Sequence, residues 1–167
     1  MATQRVSDQV SDKGSKPVDE RWSRYPETVL IFAGEPEVFV DLREQVPPAT
    51  KKAMRVLGLG DPFGILTAFN PRGNDIGEEK NRNRSQQLES GLRSSGDQFV
   101  RVDACAPDRS HCECSVALKA PRQRVLDMAR RWEQIAIFWW DGDNFWIEGG
   151  LSNANPVMLP VGPPEKD

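Results

Sequence analysis

Amides and guanidinium groups crowd one short run of this chain. Asn70, Arg72 and Asn74 follow Thr67 closely, and Asn81 and Arg84 come about a helical turn or two later. These side chains offer donors and acceptors but no nucleophile, so the chemistry they suit is recognition. The ligand expected is small and polar or anionic, or a peptide segment. The positions fit that role. "FGILTAF" (63–69) reads as a strand apolar on both faces, and Pro71 lacks the N–H that would continue its ladder. Gly73 and Asn74 tolerate a sharp left-handed turn. A helix from about 77 to 94 then presents Leu88 and Leu92 to the core, and the same face carries Asn81, Arg84 and Ser85. Its first-turn amides can receive an anion, with Arg72 beside them, although Glu78 and Glu79 already occupy that turn. A competing reading makes Asn81 and Arg84 structural, tying the 70–75 loop down through Asn70 or Asp75.

Other constellations are weaker. "CAPDRSHCEC" holds Cys105, His111, Cys112 and Cys114, but no C-x-x-C knuckle for a structural metal. Cys112 and Cys114 alternate with Val116 and Leu118 on one strand face and read as small core hydrophobes. No metal or cofactor is expected. His111 is the only histidine. It can be paired on paper with Cys105, Cys112 or Ser110, yet no nucleophile elbow accompanies it, and an exposed loop position is expected. Asp141 and Asp143 sit in "DGDN", a tight-turn sequence. Neither a P-loop nor GxGxxG occurs. No catalytic residue is expected; a hydrolase or nucleotide-processing enzyme would need a carboxylate such as Asp75 or Glu78 inside the pocket.

The elements that must position these residues follow from periodicity. "TVLIF" (28–32) and "EVFVDL" (37–42) form a hairpin, and "PPATKKAMRVLG" gives a short helix (47–57) with prolines at its start. Strands are expected at 98–102 and 112–119. A helix with Pro121 at its first position turns Val125, Ala129 and Trp132 inward. "IAIFWW" (135–140) and "FWIEG" form the last hairpin. The order is ββαβαββαββ, an α+β fold with about three helices covering a mixed sheet. Trp139 and Trp140 must face opposite sides of their strand, so one of them can border a groove or partner surface. Residues 1–26 read as a disordered arm whose Trp22 and Tyr25 dock it or meet a partner. Residues 27–150 form the single domain, and 151–167 a proline-rich extended tail.

The totals limit the function classes. With 22 basic against 25 acidic residues the net charge is -3, which argues against nucleic acid as a partner. No apolar run is long enough to span a membrane, and the N-terminus lacks the apolar core of a secretory signal. Three cysteines, an odd number, fit a reducing compartment better than a disulfide framework, so a cytoplasmic location is expected.

"ILTAFNPRG", the Asn81–Leu88 helix and the later "ARRWEQIAIFWWDG" together resemble a family of small bacterial proteins known only as a domain of unknown function. Its members carry an Ile-Thr-Ala-Trp/Phe-Asn-Pro strand end and a Gly-Arg-Arg-Phe-Gly-Gln-Asn-Ala-Ile-like junction. The matching positions are Thr67–Pro71, Asn81–Leu88 and Arg130–Ile137, within a resemblance over about 28–148. Ala129 and Ile135 stand where the family often has Gly and Asn. The resemblance implies the domain limits and the weight of the Asn70–Arg84 corner, and supplies no reaction. The leading expectation is a binding module. The alternative is an accessory subunit that uses its tails and tryptophan-rich edge in a larger assembly.

Overall fold

The structure, a computed structural model, describes residues 22–162. The expected arm therefore lies outside the described residues, apart from 22–26. Its end forms a 3-10 turn, Tyr25–Glu27, led by Pro26. Here Tyr25 packs edge-on against Phe138 with ring centroids 6.1 Å apart, and Trp22 packs edge-on against Tyr25.

The strands are β1 (Val29–Phe32), β2 (Val38–Asp41), β3 (Phe63–Thr67), β4 (Phe99–Cys105), β5 (Cys112–Leu118), β6 (Ala136–Trp140), β7 (Phe145–Gly149) and β8 (Val157–Met158). The helices are α1 (Pro48–Val56), α2 (Glu78–Ser94) and α3 (Arg122–Arg131). The expected order holds, with β8 added: within the expected tail, Val157 and Met158 pair with β7, and Leu159 is buried behind them. One sheet runs β2-β1-β4-β5-β3-β6-β7-β8. The fold is α+β, but the sheet is antiparallel in every ladder and not mixed. The reason lies in the crossovers. α2 joins β3 to β4 across β5, and α3 joins β5 to β6 across β3. Each helix thus links strands running the same way, with an opposed strand seated between them.

The sheet curls. Its convex side is covered by α2 and α3, which bury Leu88, Leu92, Val125, Leu126 and Ala129 on Leu66, Val116, Leu118 and Ile137. Gly64 makes this approach possible, because a Cβ there would collide with Val125 of α3. On the concave side, Leu30 and Phe32 of β1 and Val38 and Val40 of β2 share one core with Trp140 of β6, Phe145 and Ile147 of β7, and Met54 of α1.

Side-chain size tapers along this concave side. β6 runs Trp140, Phe138, Ala136; β3 runs Phe63, Ile65, Thr67; β4 runs Val100, Val102, Ala104. At the broad end, Phe63 lies among Phe32, Trp140 and Phe145 with centroids 6.0 to 6.5 Å apart, and the interior is filled. At the narrow end, Thr67, Ala104, Ser115 and Ala136 leave space between the strands. The sheet opens there into a mouth.

Candidate functional site

The corner after β3 is built on a strained backbone that side chains hold in place. Asn70 (φ 45°) and Arg72 (φ 57°) both adopt left-handed conformations, and so does Glu133 (φ 57°) across from them. Such residues persist only where their surroundings fix them. Asn81, 5% exposed on α2, does this for Asn70. Its Oδ1 accepts the Asn70 N–H at 2.8 Å and its Nδ2 donates to Asn70 Oδ1 at 2.7 Å. Arg84 donates from Nε to the Ala68 carbonyl at 2.7 Å and from Nη2 to the Trp132 carbonyl at 2.8 Å, with its guanidinium over the Trp132 ring. Gln134, also buried, donates to the Phe69 and Trp132 carbonyls. Arg72 binds Glu133 twice, backbone to backbone at 2.7 Å and Nε to Oε1 at 3.0 Å.

The inward turn of Asn81 and Arg84 is therefore observed, and it takes the structural form: they latch the corner to the body of the domain. Arg84 and Arg72 are both engaged by protein acceptors. At the start of α2, the Asp75 carboxylate accepts the Gly77 N–H at 2.9 Å, and Glu78 pairs with Arg82. Those carboxylates occupy the helix terminus where an anion was expected to bind. Asn74 is exposed, its N–H given to the Pro71 carbonyl.

In front of this latch lies the mouth of the sheet, a cleft of about 580 Å³. Of the six expected site residues, Thr67 and Asn70 line it. Thr67 Oγ1 donates to the Cys114 carbonyl at 2.7 Å and accepts the Phe69 N–H. Asn81 and Arg84 stand behind the wall, and Arg72 and Asn74 are outside it. Neither Asp75 nor Glu78 reaches the cleft; the carboxylates that line it are Glu27 and Glu113.

The far wall comes from the second motif. The β4–β5 turn brings Ser110, His111 and Glu113 to the cleft. Asn70 Nδ2 donates to Glu113 Oε1 at 3.3 Å, and His111 Nε2 lies 3.4 Å from the same oxygen. The corner after β3 and the start of β5 thus meet at one carboxylate. His111 is exposed, as expected, but it edges a cleft and not an isolated loop.

The cysteines require correction. Cys105 and Cys112, directly opposed on β4 and β5, form a disulfide in place of the expected free thiols. Cys112 and Cys114 are exposed, whereas Ser115–Leu118 are buried. The helix layer covers Val116 and Leu118 but stops short of the cysteine end of β5. Partial desolvation pushes the Cys114 thiol pKa up, and the negative charges of Asp103 and Glu89 add to that. Among the described residues, no group of three His, Cys, Asp or Glu side chains is placed to hold a metal ion.

Sequence reasoning missed Glu113, Gln134 and the aromatic floor of Tyr25, Phe69 and Phe138. One signal was present: alternation in "CECS" puts Glu113 and Ser115 on the face opposite Val116. What could not be read was that β5 lies beside β3, with Thr67 across from Ser115.

A second hollow of similar volume lies on the surface by Lys119, Pro121, Arg122 and Trp139. Of the four charged side chains that line it among the described residues, three are already partnered: Arg122 with Glu148, Asp97 with Arg124, and Lys119 with Gln98. The mouth of the sheet is the better-formed site.

Residues 66–137 match the model of a family described as "Protein of unknown function (DUF3293)". The span runs from the end of β3 to the start of β6, and so includes the latch, Glu113 and His111. No curated protein and no solved structure matches the chain.

Proposed function

We propose that this chain is a binding module that holds a small polar ligand in the mouth of its curled sheet. The observation that carries the reading is the taper of the concave face, which leaves a cleft of about 580 Å³ lined by Thr67, Ala104, Ser115 and Ala136. That volume is typical of small-molecule sites, generally about 300–1,000 Å³. A sheet that needed only a core would fill this space with larger side chains. The apolar floor would take the body of a ligand, and Thr67, Asn70 and Glu113 would orient its polar end. A rigid wall suits recognition, because little ordering remains to oppose binding. The Asn81–Asn70 pair and Arg84 supply that rigidity.

Filling the mouth tests the reading. Ala136→Leu adds bulk where the cleft has room. A metabolite library screened by thermal shift should give hits that raise the wild-type midpoint and leave that of Ala136→Leu unchanged, with matching circular dichroism. Hits that stabilise both proteins equally would contradict the proposal.

A further inference from the structure

Resting on the proposed ligand cleft, we infer that its ligand class is the small organic ammonium ion: an amine, protonated at neutral pH, on an apolar or aromatic body. Charge points this way. Among the described residues the lining carries two carboxylates, Glu27 and Glu113, against one guanidinium, Arg24, with the His111 imidazole beside Glu113. The other cations near the corner are committed, Arg72 to Glu133 and Arg84 to two backbone carbonyls. An anion entering the mouth would meet this excess of negative charge in a partly desolvated space, where like charges repel strongly.

Glu113 is shaped as an acceptor. Its side chain is 27% exposed, and both of its neighbours, Asn70 and His111, approach Oε1. Among the described residues, Oε2 receives no hydrogen bond. Asn70, fixed in turn by Asn81, holds the carboxylate in one orientation, so the ligand does not have to order it. An ammonium group offers three donors to that free oxygen.

The floor adds a second attraction. Tyr25, Phe69 and Phe138 all line the cleft, and Tyr25 stands edge-on to Phe138. Ring faces attract cations, most strongly where water is excluded. A carboxylate together with aromatic rings favours an organic cation over a neutral alcohol of the same shape, and disfavours a carboxylate ligand.

Three probes sharing one body separate the possibilities: phenethylamine, 2-phenylethanol and 3-phenylpropionate, titrated calorimetrically into the full chain at neutral pH. Phenethylamine should bind at least about tenfold more tightly than the alcohol, the difference expected of one charge-assisted hydrogen bond. The propionate should bind more weakly still. Glu113→Gln keeps the side chain's shape and should remove most of the preference for the amine without changing the unfolding midpoint. Equal or tighter binding of 3-phenylpropionate, or an amine preference unchanged in Glu113→Gln, would overturn the ammonium class while leaving the cleft as a binding site. No binding of any probe, together with library hits that ignore Ala136→Leu, would remove both.

Discussion

Asn81 is the residue on which the geometry of the candidate site turns. It satisfies the backbone N–H and the side-chain oxygen of Asn70, and Asn70 in turn aligns Glu113. Removing a buried amide leaves its partners unpaired, which costs about 1–3 kcal/mol. Asn81→Ala should lower stability by that amount in urea denaturation. Asn70→Gly should be milder than Asn70→Val, because glycine accepts the left-handed backbone and a β-branched residue does not. If Asn70→Val were as stable as the glycine variant, the strained corner would be wrong. At this scale the sequence was informative. The types and spacing of Asn70, Asn81 and Arg84 indicated an inward-facing corner. They offered both a ligand-binding role and a structural tie to Asn70 for Asn81 and Arg84, and did not decide between them; the hydrogen bonds to Asn70, Ala68 and Trp132 take the structural form.

Among the elements, the β4–β5 hairpin does what its cysteine count did not suggest. The Cys105–Cys112 bond spans seven positions and closes the turn that carries Ser110 and His111 to the cleft. Closing a loop of this length is worth on the order of 2 kcal/mol through the unfolded chain. Cys105→Ala combined with Cys112→Ala should lower the urea midpoint accordingly, and reduction of the wild type should do the same. A midpoint that ignores both changes would show that the hairpin does not depend on the crosslink. An odd cysteine total hid the pair, because parity says nothing about which strands lie side by side. The helices were more legible. α2 starts with two acids and ends where Gly96 adopts φ 73° and the Asp97 N–H returns to the Leu92 carbonyl, so its limits are local properties of the chain.

Over the whole molecule, strand order is what the sequence withheld. The periodicities of β3 and β6 marked both as central, and they are neighbours. The mixed sheet expected would need a parallel pair, whereas each helical crossover skips a strand and leaves the sheet antiparallel. The concave taper exists only once Trp140, Phe138 and Ala136 of β6 are set beside Phe63, Ile65 and Thr67 of β3. For the same reason, the mouth could not be seen in either segment alone. The central claim is that this mouth receives the ligand. Amide NMR of the full chain, titrated with the strongest library hit, tests it most directly. The largest shifts should fall on Thr67, Ala104, Ser115 and Ala136, which meet only at the narrow end of the concave face. Largest shifts at Lys119, Arg122 and Trp139, with those four unmoved, would contradict it.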